Sequence, residues 1–196
     1  MEKVTFAALL LLQIICTTYV AAAVAKSSSS HGGALKAACR KTPYANFCMT
    51  LLQPYATVLK GNDPYTFGHA AISASLEHAE GAQSFITQEE KDENLTADQR
   101  AALHGCLENV GYSVEALRQA KAEFEKSREA VNEKTRENHV NKSTNRLTVS
   151  SNDQSACYDS LNGAGGEMVR KVRENVDGAA KAGYVAKSLI QHMMMN

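Results

Sequence analysis

The chain has 196 residues, and its 21 Lys and Arg balance its 21 Asp and Glu, so the formal net charge is zero. This balance gives no support for general binding to nucleic acid or to an anionic membrane. The chain has no Trp and only three Pro. Ala, Glu, Lys and Leu dominate its middle and end, which favours a helical fold in a single domain.

The first residues have the pattern of a secretory signal. Lys3 supplies a basic start, an apolar run follows over residues 4–15, and small residues surround Ala23 and Ala25. We predict a signal peptide over residues 1–25, cut after Ala23 or Ala25. The segment is too short and too poorly flanked to serve as a lasting membrane span.

After the signal, residues 26–33 are rich in Ser and Gly and are predicted to be a flexible lead. The remaining residues, 34–196, are predicted to form one helical domain. The product is expected to be secreted, extracellular and not bound to a membrane.

Cysteine placement is consistent with an extracellular location. Cys16 leaves with the signal peptide, and four cysteines remain: Cys39, Cys48, Cys106 and Cys157. An even set behind a secretory signal indicates disulfides. Local spacing favours a short loop, Cys39–Cys48, and a long one, Cys106–Cys157, although three connectivities are formally possible.

The first helical pieces are predicted within residues 34–59, with breaks at Thr42-Pro43 and at Gln53-Pro54. A longer helix then starts with Asp63 as its cap and Pro64 in its first position, and it ends near Ile86 or Thr87. One face of this helix collects its apolar positions, which are Phe67, Ala71, Ala74, His78, Ala82 and Phe85. We expect His78 to be a buried histidine bonded to the backbone or to a hydroxyl.

A second long helix is predicted from Ala97 to Val131, opened by a capping box at Thr96 and Gln99. Its apolar stripe consists of Leu103, Leu107, Val110, Val114, Leu117 and Phe124. Residues 132–145 are strongly polar and are predicted to be a loop or a frayed extension. The third helix, Leu147 to Leu161, has a weak stripe of Leu147, Val149, Cys157 and Leu161.

The last helix has the most regular pattern. A glycine-rich turn over residues 162–166 precedes it. Its apolar stripe is Val169, Val172, Val176, Ala179, Gly183, Ala186, Ile190 and Met193. The predicted fold class is therefore all-α: an up-down-up-down four-helix bundle preceded by a disulfide-closed N-terminal helical hairpin.

No motif indicates catalysis or a cofactor. The sequence has no Gly-rich phosphate loop, no HExxH motif and no Gly-x-Ser-x-Gly elbow. His104 and Cys106 could suggest a metal pair, but a disulfide claims the thiol. We predict no enzyme activity, no cofactor and no metal. The run of methionines at residues 193–195 is interpreted as a frayed terminus with Met193 packed.

Acidic residues mark one candidate surface. Glu108 and Glu115 are seven residues apart and share a helix face, and Asp159 follows Cys157 by two. The face is either simply solvated or a contact patch for a basic or hydroxyl-rich partner. N-glycosylation sequons occur at Asn94 and Asn141, both in predicted loops.

At this point the sequence resembles the plant invertase inhibitor and pectin methylesterase inhibitor family over nearly all of the predicted mature chain. The segments that carry the resemblance are Cys39-Arg40-Lys41-Thr42-Pro43-Tyr44, Cys48-Met49-Thr50-Leu51-Leu52, His104-Gly105-Cys106-Leu107-Glu108-Asn109, Val114-Glu115-Ala116-Leu117 and Gln119-Ala120. In the third bundle helix the matching residues are Leu147, Gln154, Cys157, Asp159 and Leu161. The resemblance implies a four-helix bundle behind a helical hairpin, with first-to-second and third-to-fourth disulfides. It also implies a protein that blocks an enzyme.

The resemblance implies contact residues on the two disulfide-linked helices. Asp159 matches an Asp two after the fourth cysteine, and Glu115 stands where esterase inhibitors have an acid. Ala156 replaces a usual Thr, and Tyr112 falls where an Asp can occur. Lys142, within the Asn141 sequon, is the residue kept where invertase inhibitors have a Pro-Lys-Phe loop. Glu108 completes the predicted partner-binding set.

The resemblance implies a secreted, non-catalytic inhibitor of pectin methylesterase that occludes the substrate cleft in a one-to-one complex. An invertase inhibitor is the alternative within the family. A third possibility is a member that has lost inhibition and serves as an extracellular binding or structural protein.

Overall fold

Six α-helices make up the part of the chain that the computed structural model describes, residues 33–59 and 63–194. They are α1 (33–39), α2 (Ala45–Leu52), α3 (Pro64–Glu89), α4 (Ala97–Glu129), α5 (Glu133–Ser160) and α6 (Glu167–Met194), with a short 3₁₀ turn at Gln53–Tyr55. The predicted signal peptide with Cys16 lies outside the described residues, as does the side chain of Met193. Of the flexible lead predicted over residues 26–33, residues 26–32 also lie outside them, whereas Gly33 begins α1.

The long helices form the predicted bundle. Helix α4 packs between α3 and α5, and α6 packs between α5 and α3, so the four helices close into a ring. The links are short, at residues 90–96, 130–132 and 161–166, and consecutive helices therefore run antiparallel. The all-α, up-down-up-down fold class is confirmed.

The N-terminal hairpin packs against α3 and α6 of the bundle. Helices α1 and α2 are joined by the Cys39–Cys48 disulfide, whose Cα atoms are 5.5 Å apart. Helix α2 packs on α3 and α6. Buried Leu35, Leu51 and Leu52 continue the main core into the hairpin. The hairpin therefore folds as part of the domain and buries its apolar face against the bundle.

Start signals in the sequence work as predicted. The Asp63 carboxylate accepts from the backbone N–H groups of Tyr65 and Thr66, both at 3.2 Å. At the start of α4, Thr96 and Gln99 form a full capping box. At the turn before α6, Gly163 and Gly166 adopt φ of 86° and 105°, a region that favours glycine.

The prediction that residues 132–145 form a loop or a frayed extension is wrong, because residues from Glu133 onward belong to a regular helix. Helix α5 begins at Glu133, immediately after Asn132, whose side chain accepts from Thr135 N–H at 2.9 Å. The polar composition of this segment does not indicate a loop, because the helix buries hydroxyls and an amide rather than an apolar stripe. Its buried polar residues are Ser143, Thr144, Ser150, Ser151 and Gln154.

Two side chains that were predicted to be buried are exposed. Val149 was assigned to the stripe of α5, but it is 40% exposed. His78 was expected to be buried, yet it is exposed, with its ring 5.9 Å from Phe47. By helical spacing His78 lies on the same face of α3 as the buried Ala71, Ala74 and Ala82, and its exposed ring lies beside Phe47 of the hairpin.

Helix α6 follows its predicted stripe. Val169, Val172, Val176, Ala179, Gly183, Ala186 and Ile190 are all buried. No helix among the described residues is long and apolar enough to cross a bilayer.

Candidate functional site

The two helices joined by the second disulfide present the candidate surface. Cys106 on α4 and Cys157 on α5 are bonded, with their Cα atoms 3.9 Å apart. Gly105 allows this approach, because a Cβ built there would come within 3.0 Å of Ser160 Oγ. The Asn109 side-chain amide donates to Gly105 O at 2.8 Å and to Ser160 Oγ at 3.3 Å.

Below the disulfide, buried hydroxyls lock α4 to α5. The hydroxyls of Ser113 and Ser150 are bonded at 2.7 Å, and Gln154 Nε2 donates to Ser113 Oγ at 3.0 Å. Farther along, Ser143 donates to Ala120 O at 2.8 Å. The hydrogen-bonded serine hydroxyls are small enough to let the two helices pack closely, so the outer surface of the pair is held rigidly.

On α4, neighbouring side chains order the outer surface. Tyr112, 57% exposed, donates its hydroxyl to Glu108 at 2.9 Å, and this bond raises the pKa of Tyr112. One turn farther, Gln119 Nε2 donates to Glu115 at 3.0 Å. The predicted contact residues Glu108, Tyr112 and Glu115 therefore share one ordered, exposed face.

On α5, the predicted contact residues lie near the disulfide. Ala156 is partly buried, and Asp159 is exposed near the end of the helix, where Asn162 Nδ2 lies 3.5 Å from its carboxylate. Lys142 is far from both. Seventeen residues of helix separate it from Asp159, about 25 Å at 1.5 Å per residue.

Asp153 was missed from the sequence. It lies on α5 one turn before Ala156, and its charge contributes to raising the pKa of Tyr112. Its Oδ2 is buried with no hydrogen-bond partner in the described chain, and burial raises the pKa of its carboxyl. Its heptad-like spacing from Arg146, Val149 and Ala156 was the signal that could have found it.

The sequons have different settings. Asn94 is exposed in the turn before α4, where its amide donates to Asp92 at 2.9 Å. Asn141 is inside α5, half-buried, and Ser143 of its sequon is buried. The prediction that both sequons lie in loops is therefore wrong for Asn141, and Lys142 is helical for the same reason.

Metal binding finds no support in the part of the chain that is described, where no group of three or more His, Cys, Asp or Glu could hold an ion. His104 instead lies 3.6 Å from the Glu90 carboxylate, and Cys106 is bonded to Cys157. The exposed surface of α4 and α5 includes polar side chains and the aromatic ring of Tyr112, which are groups that can contact a partner protein.

Comparison with known proteins places these features in context. A family described as plant invertase/pectin methylesterase inhibitor matches residues 33–194. The 21 kDa protein of Daucus carota is 28% identical over 160 residues, which cover 81% of this chain and 82% of the relative. Pectinesterase inhibitor 9 of Arabidopsis thaliana is 26% identical over 160 residues, covering 79% and 77%.

A solved structure shares the fold. The crystal structure of a mutant form of a pectin methylesterase inhibitor from Arabidopsis superposes with a TM-score of 0.63 at 12% sequence identity. The match covers 81% of this chain and 95% of that one. At this identity the likeness concerns the fold.

Proposed function

The chain belongs to the plant invertase/pectin methylesterase inhibitor family, and on this premise we propose that it is a non-catalytic inhibitor of a pectin methylesterase. It binds the esterase one-to-one and covers the substrate cleft with the outer face of α4 and α5. The naming of one relative as a pectinesterase inhibitor supports the choice of target.

The single observation that carries this proposal is the rigid, ordered face of the disulfide-linked helix pair. Because α4 and α5 are clamped by Cys106–Cys157 and by the buried Ser113–Ser150 bond, little conformational entropy is lost when the face is covered. Tyr112 supplies an exposed aromatic anchor, and aromatic anchors dominate many protein interfaces.

Secretion is part of the same proposal. Two disulfides in a chain of this size favour an oxidising compartment, and the pattern of residues 1–25 supplies a route to it. We therefore assign the protein to the extracellular space of the plant, with residues 34–196 as the inhibitor domain.

The invertase alternative takes second place. It depended on a loop carrying Lys142, whereas the link between α4 and α5 is only residues 130–132 and Lys142 is within α5. The remaining alternative, a member without inhibitory activity, is separated from the proposal by direct titration.

The test is to titrate the oxidised protein into a plant pectin methylesterase and, in parallel, into a cell-wall invertase, and to measure residual activity. We expect saturable loss of esterase activity at a one-to-one ratio and unchanged invertase activity. Full esterase activity at a large molar excess of the protein would contradict the proposal.

Single substitutions on the proposed face locate the contact. Glu115→Ala and Asp159→Ala should each weaken esterase inhibition by about 1–3 kcal/mol, roughly 5- to 150-fold, with unchanged thermal stability because both side chains are exposed. Glu174→Ala, on the exposed surface of α6, is the matched control and should inhibit like the parent. Parent-like inhibition by both face variants would show that another surface makes the contact.

A further inference from the structure

An open groove runs between α4 and α5 at the end remote from their disulfide. Its volume is about 610 Å³. This is within the range of pockets that hold small organic ligands. Its lining is Gln119, Ala122, Glu123, Lys126, Lys142, Asn145 and Arg146.

Two of the three cations that line the groove have no acidic partner among the residues that the structure describes. Lys142 and Arg146 are exposed and lie four residues apart on α5, so both reach the same side of the helix. Neither forms an ion pair within the described residues. Their charge is therefore available to a ligand.

The one acid of the groove is already engaged. Glu123 Oε1 accepts from Lys126 at 2.7 Å and Glu123 Oε2 lies 2.8 Å from His139 Nδ1. These two bonds lower the pKa of Glu123 to about 2, led by the bond from Lys126. Lys126 offsets the charge of Glu123, which leaves the groove with the net positive charge of Lys142 and Arg146.

The remaining donors indicate the ligand chemistry. A guanidinium and an ammonium side by side suit carboxylates, since Arg can hold one through two parallel bonds. The side-chain amide of Asn145 can donate to and accept from sugar hydroxyls. Gln119, whose Nε2 already donates to Glu115, keeps its carbonyl oxygen and its second N–H for them. We propose that this groove binds a carboxylated sugar chain, a short oligouronate, with carboxylates on Lys142 and Arg146 and hydroxyls at the two amides.

This proposal is independent of the proposed inhibition, because binding of the sugar chain is measured on the free protein without any esterase. Linear trigalacturonic acid is titrated into the oxidised protein by calorimetry at low salt, and the same trimer as its methyl ester is titrated in parallel. We expect saturable binding of the acid, weakened by added salt, and at least tenfold weaker binding of the uncharged ester. In NMR spectra, the side-chain amide signals of Gln119 and Asn145 should shift on binding of the acid.

The variant Lys142→Gln/Arg146→Gln should reduce the affinity at least tenfold. Its matched control is Lys36→Gln/Arg40→Gln, which removes one Lys and one Arg, four residues apart and exposed, from the N-terminal hairpin. The control should bind like the parent, and all three proteins should have the same melting temperature. Equal losses in both variants would reveal nonspecific charge attraction and overturn the proposal. It would also be overturned by inorganic sulfate displacing the trimer at equal concentration, or by no binding at millimolar trimer.

Discussion

Gly68 on α3 lies under an aromatic ring. A Cβ built at this position would come within 2.4 Å of Phe124 Cζ, and two further ring atoms lie within 3.2 Å. Phe124 is buried, and Tyr65 packs on it with ring centroids 5.6 Å apart. The Tyr65 hydroxyl donates to Ser127 O at 2.7 Å, which holds the Tyr65 ring in place against Phe124. The Phe124 side chain therefore has little room to move away.

Gly68→Ala should destabilise the fold by about 1–3 kcal/mol, because the added methyl overpacks a fixed aromatic contact. Gly81→Ala is the control within the same helix, since a Cβ there meets nothing within 4 Å. It should stabilise by about 0.5–1 kcal/mol through higher helix propensity. Urea unfolding of both variants measures the difference, and a Gly68→Ala variant as stable as the parent would contradict the packing argument.

Glu123 links stability to pH. Its pKa falls from the ordinary 4.5 to about 2 because Lys126, and then His139, bonds to the charged form. A carboxyl whose pKa is lower in the folded state stabilises the fold at pH above about 4.5. That contribution disappears as the pH falls from about 4.5 toward 2.

Glu123→Gln should therefore cost about 1–2 kcal/mol of unfolding free energy at pH 6, a figure reduced from the full shift because Lys126 is half-exposed. The difference between the variant and the parent should shrink as the pH falls from about 4.5 and should approach zero only below about pH 2. Glu129→Gln, which removes an exposed acid from the end of the same helix, should follow the parent at every pH. A gap between Glu123→Gln and the parent that does not change with pH would exclude this linkage.

Helix α5 marks the limit of apolar periodicity as a predictor. Where the core face is Val, Ala and Ile, as in α6, sequence alone locates both the helix and its buried side. In α5 the same side is filled by Ser143, Ser150 and Gln154, which a periodicity argument reads as solvent-exposed. Their burial depends on hydrogen bonds to residues of α4. These partners are distant in the sequence, so the local pattern of α5 does not predict the bonds.

The assignment of a buried and an exposed face to α6 can be tested with one substitution on each face. Val176 is fully buried, so Val176→Asp places an unpaired charge in the core and should cost more than about 3 kcal/mol or unfold the protein. Lys171→Glu changes an exposed residue whose ammonium is 3.1 Å from Glu167, and should cost about 0.5 kcal/mol. Thermal denaturation followed by circular dichroism ranks the two, and equal melting temperatures would refute the register.

At the scale of the whole molecule, the sequence predicts the two helices that present the candidate surface but not the groove between them. The face containing Glu108 and Glu115 follows from helical spacing within one element. The groove with Arg146 and Lys142 depends on α5 starting at Glu133, which brings these residues alongside Gln119 and Glu123. Because the sequence pattern places the start of this helix at Leu147 rather than at Glu133, it does not predict the groove between α4 and α5.

The two disulfides close very different lengths of chain around one connected domain. Cys39–Cys48 spans 9 residues within the hairpin, whereas Cys106–Cys157 spans 51 and joins two long helices. In the chain-entropy model, the longer loop restricts the unfolded chain more. The model gives about 3 kcal/mol for the short loop and about 4 kcal/mol for the long one.

Replacing each pair by Ser should therefore rank the two bonds. We expect Cys106→Ser/Cys157→Ser to lower the unfolding free energy by about 4 kcal/mol, and Cys39→Ser/Cys48→Ser by about 3 kcal/mol. Because the hairpin packs into the main core through Leu35, Leu51 and Leu52, the second variant should still unfold in one transition, with coincident circular dichroism and tyrosine fluorescence. A separate early transition in that variant would show that the hairpin is held to the bundle by its disulfide rather than by burial of these leucines.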